Sequence, residues 1–268
     1  MMKWVVMLVG IGILAIAPTA GAGTVVSTHA VLGEFAEIVG GEEIEVVSII
    51  PSGFCPSHYD LVPSDLAAVL DASLILYSGF EPWIETLASA AGSAAAVIQL
   101  PGEWNTPELS IEKVEAIRDL LAERFPASAD EFGENSSAYI DELRSVGDML
   151  KERAENLGVS EITVVCMKWQ ADLASWLGFD VAVTYGIPDL FSLQDLVSLA
   201  AAGREAGAQL VIDNLQSGVD FGAKLAREIG AVHVVLSNFP GAMPRTATLI
   251  DLLTRNAESL FSAIEPWN

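Results

Sequence analysis

Histidine is scarce in this chain, with three in 268 residues, and so is positive charge: 13 basic residues stand against 36 acidic ones, for a formal net charge of −23. The missing basic footprint excludes nucleic acid as a partner, because phosphate neutralisation needs clustered lysine and arginine. Three histidines leave little for general-base chemistry, and no Ser-His-Asp arrangement, phosphate loop or paired acid–base motif is present. Beyond the N-terminus no segment is long and apolar enough to span a bilayer, which takes about 20 apolar residues. What is there is ample core material, with 51% hydrophobic and 18% charged residues. The length suits one large domain or two lobes of roughly 100–150 residues each. The acidic residues are scattered, so they read as a solvated, self-repelling surface that attracts cations.

The N-terminus reads as an export signal. Lys3 supplies a positive start, residues 4–17 form an unbroken apolar or glycine run, and Ala20-Gly21-Ala22 is an A-x-A cleavage pattern after Pro18. Cleavage after Ala22 is expected, the alternative being an uncleaved anchor at the outer face of the cytoplasmic membrane. Both place the remaining chain outside the cytoplasm, in the periplasm or on that outer face. Neither cysteine lies near the cleavage site, which argues against a lipid-modified N-terminal cysteine.

From Thr24 onward, continuously apolar β-branched runs alternate with stretches of helical period. Strands are predicted at 25–27, 44–50, 74–77 and 96–99, with helices at 31–39, 64–70 and 82–90 between them. Residues 135–157 then form a charged, amphipathic stretch broken only by Gly147, and predict one helix of about six turns. After Gly158 the alternation resumes, with strands at 162–166, 181–184, 210–213 and 232–236 and helices at 171–177, 192–205, 218–229 and 246–264. The expected fold class is therefore α/β: two similar lobes with parallel sheets flanked by helices, joined by one long rigid helix, with the ligand cleft between the lobes. The corresponding division is a signal peptide at 1–22, an N-terminal lobe at 23–130, a linker helix at 131–158 and a C-terminal lobe at 159–268.

In open α/β sheets the chemistry sits beyond the carboxyl ends of the strands. Three such ends are unusual: residues 51–65 with Cys55 and His58, residues 166–170 with Cys166, Met167, Lys168, Trp169 and Gln170, and residues 213–216 with Asp213, Asn214, Leu215 and Gln216. Thiolate and imidazole select borderline or soft metals. Cys55, His58, Cys166 and Asp213 thus form a candidate set for a tetrahedral, zinc-like divalent ion, with copper or iron next and manganese disfavoured by its preference for oxygen. Each residue has a plainer reading as well. His58 can be a surface histidine, Asp213 a helix cap, and the two cysteines a structural disulfide in an oxidising compartment or inert thiols. His29, Met167, Lys168, Asn214 and Asn238 are possible outer-layer or alternative ligands, and His233, inside an apolar strand, reads as a core or sheet-edge residue.

Several motifs together resemble the zinc- and manganese-type metal-binding receptors of ABC importers. Val25-Val26-Ser27-Thr28 with Phe35-Ala36 and Val39-Gly40-Gly41 is similar to that family's opening strand and helix. Residues 49–53 with Pro56, His58-Tyr59 and Pro63-Ser64-Asp65 resemble its first metal loop, and residues 77–83 its glycine turn. The resemblance covers nearly all of the chain after the signal and implies a monomeric metal-binding protein that hands its ion to a membrane permease. It also exposes departures. Family members use two histidines, then a glutamate or histidine, then an aspartate. Here the first histidine is displaced to His58, Cys166-Met167-Lys168 stands where a later histidine is expected, Asp213 matches the carboxylate, and Asn238 replaces the aspartate. A second reading of the same fold follows, in which Lys168, Asn214, Gln216 and Asn238 hold an oxyanion or a metal chelate. An exported enzyme using the cleft cysteines is the remote third.

Overall fold

The computed structural model describes residues 23–92 and 95–265; the expected signal segment, 1–22, lies outside them. The N-terminal sheet contains β1 (Gly23–His29), β2 (Ile44–Ile50), β3 (Ala72–Tyr77) and β4 (Ala96–Gln99) in the order β2-β1-β3-β4, all parallel. Val25 pairs with both Val46 and Leu74, so β1 lies between two neighbours. Its side chains alternate between faces: Val25 joins a core with Leu32, Phe35 and Leu76, while Val26 joins another with Ile49, Ile75 and Leu87. Both faces of β1 are covered, so Ser27, Thr28 and His29 at its carboxyl end are buried along with Val25 and Val26. Helices α1 (Ala30–Gly40), α2 (Pro63–Ala68) and α3 (Ile84–Ala91) follow the first three strands.

The predicted runs leave residues 100–134 unassigned, and α4 (Pro107–Arg124) stands there, burying Val114, Ile117 and Leu121 at helical spacing. Its start is marked locally: Thr106 accepts a hydrogen bond from the Leu109 amide, and Pro107 occupies the first turn. The long helix α5 (Ala129–Asn156) begins about a turn and a half earlier than its charge pattern suggests and extends roughly 42 Å at 1.5 Å per residue. Gly147 allows it close approach: a Cβ there would stand 3.0 Å from Pro107 and 3.4 Å from Trp176.

The second lobe repeats the first. Strands β5 (Thr163–Met167), β6 (Asp180–Tyr185), β7 (Leu210–Asn214) and β8 (Val232–Leu236) form a parallel sheet in the order β6-β5-β7-β8. It is covered by α6 (Ala171–Leu177), α7 (Leu193–Glu205), α8 (Asp220–Ile229) and α9 (Leu249–Ile264).

The lobes are joined more firmly than by one helix. Phe132, Tyr139, Ile140 and Leu143 of α5 belong to the N-terminal core, whereas Leu150 and Ala154 belong to the C-terminal core. The final helix α9 does the same, with Leu249, Leu252 and Leu253 in the first core and Ala257, Leu260, Phe261 and Ile264 in the second. Glu34 of α1 accepts the Leu249 amide at 2.8 and 2.9 Å and the Tyr139 hydroxyl at 3.3 Å, tying both crossing helices to the first lobe. Among the described residues no helix is long and apolar enough to cross a membrane.

Candidate functional site

The carboxyl ends of both sheets meet at a cavity of about 70 Å³. The N-terminal lobe contributes Cys55, Pro56, Ser57 and His58 from the loop after β2, Phe80 from the turn after β3, and Glu103 and Trp104 from the loop before α4. The C-terminal lobe contributes Trp169, Ile187, Asn214, Gln216, Ser217, Asn238 and Phe239. Hydrogen bonds join the lobes around it. Trp104 Nε1 donates to the Asn238 carbonyl at 2.8 Å, Asn105 Nδ2 to the Trp169 carbonyl at 2.8 Å, and Gln216 Nε2 to the Ser52 carbonyl at 3.3 Å.

The loop after β2 is shaped locally. Residues Pro56–His58 make one 3-10 turn, closed by the His58 amide on the Cys55 carbonyl at 3.0 Å. Trp83 Nε1 donates to the Pro56 carbonyl at 3.1 Å, and Ser57 Oγ to the Phe80 carbonyl at 3.0 Å. Asp65 Oδ2 accepts from the Tyr59 hydroxyl and the Val62 amide. The Pro-Ser-Asp motif is thus the clasp that holds the Cys55–His58 turn over the cleft.

On the other side the structure departs from the expected ligand set. Cys166 is fully buried in the C-terminal core; its Sγ donates to the Met167 carbonyl at 3.2 Å, and burial pushes the thiol well above its ordinary value, with the charges of Asp172 and Asp213 adding to the effect. Asp213 is also fully buried, accepting from the Tyr185 hydroxyl at 3.1 Å and the Asn214 amide at 3.0 Å, with His233 Nε2 at 3.2 Å. Neither lines the cavity. Both cysteines are free, so they form no disulfide with each other. Among the described residues no three His, Cys, Asp or Glu side chains stand close enough to hold one metal ion. Cys55, His58, Cys166 and Asp213 are therefore not brought together. Cys166 and Asp213 stand in strands that are covered on both faces, and their side chains turn into the C-terminal lobe's interior rather than the cleft.

Asn214 lines the cavity instead, with 1% of its surface exposed. Its Oδ1 accepts from the Ser217 amide at 3.0 Å and hydroxyl at 3.1 Å, which leaves Nδ2 without an acceptor. Asn238 Oδ1 accepts from Gln170 Nε2, and its amide donates to Gln216 Oε1 at 3.1 Å. Lys168 is exposed and lies over the Trp169 ring, with Nζ 4.3 Å from the centroid. Met167 is packed in the core. His29 is buried beneath the cavity wall, its ring 4.7 Å from that of Trp104 and 5.3 Å from that of Phe239, and both its nitrogens lack partners. Burial lowers it to about 4, against the pull of Glu81, so the ring is neutral at ordinary pH.

Glu103 is the carboxyl that motif reading does not single out. Burial, with the nearby Asp172 charge, raises it to about 7, and Lys168 and Lys113 partly offset that. The aromatic walls Phe80, Trp104, Trp169 and Phe239 are equally invisible as a group, since they come from four separate loops. The signal available was position: each follows a strand or precedes a helix on the cleft side.

Comparison with known proteins adds a lineage to this geometry. Residues 25–263 match the family model "Zinc-uptake complex component A periplasmic", ZnuA. The manganese-binding lipoprotein MntA of Halalkalibacterium halodurans is 28% identical over 159 residues, covering 53% of each chain. The manganese ABC transporter substrate-binding lipoprotein PsaA of Streptococcus pneumoniae is 24% identical over 198 residues, covering 62% of this chain and 60% of its own. The aligned chain spans about half the length of the curated relatives it matches. Among solved structures, a periplasmic metal binding protein from Candidatus Liberibacter asiaticus superposes with a TM-score of 0.78 at 18% identity, covering 90% of this chain and 99% of that one. A ZnuA crystal structure gives 0.75 at 23% identity over 90% and 98%. These likenesses establish the two-lobed fold.

Proposed function

Since the chain belongs to the ZnuA family, we propose that it is the exported solute-binding subunit of an ABC importer, carrying a divalent metal in its interlobe cleft to a membrane permease. The observation that carries this reading is the coincidence of the family match, over residues 25–263, with a cavity built from the carboxyl ends of both sheets. Relatives named for manganese and iron support a divalent cargo. Cys55 and His58, both lining the cleft, favour a zinc-like ion over manganese. The role is capture and release rather than catalysis, and the working unit is a monomer.

Deletion of the gene tests the role: growth should fail in metal-restricted medium and return with excess metal or with this chain restored. Unimpaired growth of the deletion strain under restriction removes the receptor reading. Elemental analysis of protein purified under reducing conditions tests the metal, with zinc expected in excess of manganese and iron.

The oxyanion or chelate reading also has an observation in its favour. Asn214, Gln216 and Asn238 all line the cavity, although Lys168 is turned onto Trp169.

A further inference from the structure

A bare divalent ion suits this cleft poorly. Zinc takes four donors and harder ions take six or more. The metal-binding side chains lining the cavity are Cys55 and His58 on one turn and Glu103 on another loop, and no three such groups converge. The remaining walls are largely Phe80, Trp104, Trp169, Ile187 and Phe239. Bringing an uncompensated double charge against such walls is strongly unfavourable, and the cost falls when the ion arrives with its charge cancelled.

The cavity also makes a positive demand. Asn214 Nδ2 is a buried donor with no acceptor, and its orientation is settled because Oδ1 accepts from the Ser217 backbone amide. An unpaired buried donor costs about 1–3 kcal/mol, so a ligand oxygen brought against it on binding is favoured. A cavity of about 70 Å³ well exceeds the roughly 10–15 Å³ that one water needs, so it has room for more than an ion alone.

Resting on the reading of the cleft as the cargo site of a metal receptor, we propose that the ion enters as a complex with a small dicarboxylate. Cys55 and His58 offer the protein's donors, the acid supplies the remaining ones, and Asn214 Nδ2 hydrogen-bonds one acid oxygen. No bond beyond metal coordination is made or broken; the proton displaced from the Cys55 thiol on coordination goes to solvent. The aromatic walls then face a complex of low net charge. The amides of Asn214 and Asn238 recognise oxygen where carboxylates would repel it.

Calorimetry on the reduced full chain can test this with zinc alone, malonate or oxalate alone, and zinc with either acid. Zinc with acid should bind at least about tenfold more tightly than zinc alone, the scale of one hydrogen bond to a charged group. Asn214→Asp keeps the acceptor for Ser217 and removes the donor, so it should abolish that gain and strengthen the bare ion. His58→Ala, at an exposed position, should weaken the metal complex and leave thermal unfolding unchanged, which keeps the test available if the Asn214 variant folds poorly. Equal affinity for zinc with and without acid overturns the ternary complex and leaves the receptor role standing; a gain that survives Asn214→Asp overturns the Asn214 contact. A normal deletion strain under metal restriction removes the receptor role while leaving the calorimetry intact.

Discussion

The two lobes share one sheet topology and use their strand ends in opposite ways. In the N-terminal lobe β2 releases the chain into an open loop whose Cys55 and His58 reach the cleft, pinned by Trp83 and Asp65. In the C-terminal lobe the corresponding polar residues stay inside: Cys166 and Asp213 are fully buried, and the cleft receives Asn214 and Asn238 instead. Similar backbones thus separate a lobe that presents reactive donors from one that presents amides and aromatic surface. A repeated fold does not repeat its chemistry, because each strand end carries its own side chains into its own surroundings.

Asp213 offers the largest test of this contrast. If it is structural, Asp213→Ala takes the acceptor from the Asn214 amide and leaves the Tyr185 hydroxyl only the Ile212 carbonyl, and should cost about 1–3 kcal/mol per stranded group, read from urea unfolding. A nearly unchanged unfolding midpoint with lost metal binding would return Asp213 to the ligand set. Gly222 lies on the same contact, since a Cβ there would stand 2.2 Å from Asp213 Oδ2, and Gly222→Ala should be destabilising for that reason.

Glu34 probes the tie between the lobes. Burial raises its folded value from 4.5 to about 7, with Glu37 and Asp251 adding and the Leu249 and Tyr139 hydrogen bonds opposing. Its linkage contribution is therefore fully present below about 4.5 and is lost as pH rises through about 7, a difference on the order of 1–3 kcal/mol. Urea midpoints measured from about pH 5 to about pH 8 should fall less steeply in Glu34→Gln than in the parent. Equal slopes would show that the carboxyl titrates normally in the fold.

The cysteines should separate by reactivity. Cys55, partly exposed at the cleft, should react with a thiol reagent in the native protein, whereas Cys166 should react only on unfolding. Cys166→Ala should cost about 1 kcal/mol and leave metal binding intact. Two equally fast native thiols would contradict the buried position of Cys166.

The smallest expected effect is on shape. With α5 and α9 both seated in both cores, cargo should change the solution-scattering radius of gyration by less than its measurement error. A clear contraction on loading would mean that the two helices do not lock the lobes.

Much of the architecture is legible in the residues themselves. The β-branched, apolar-rich runs 44–50 and 232–236 coincide with β2 and β8, and 171–177 with α6, because short β-branched runs and a single apolar helix stripe are local signals. The N-terminal metal-type loop is legible too, because its Pro, Ser, Asp and Tyr residues make contacts within about ten positions of one another. Helix α4 carries local signals too, in its Thr106-Pro107 start and in Val114, Ile117 and Leu121 at helical spacing, although the predicted runs leave it unassigned.

By itself the sequence determined the α/β class, the doubled lobe, the long connecting helix and the loop that carries Cys55 and His58, all features set by local periodicity and short-range contacts. Only the tertiary structure decided that α9 serves both cores, that four separate loops assemble an aromatic cavity, and that Asn214 rather than Asp213 faces it. Periodicity reports whether a residue is in a strand. Which side chain reaches the cleft, and what waits there, depends on elements that arrive from far along the chain.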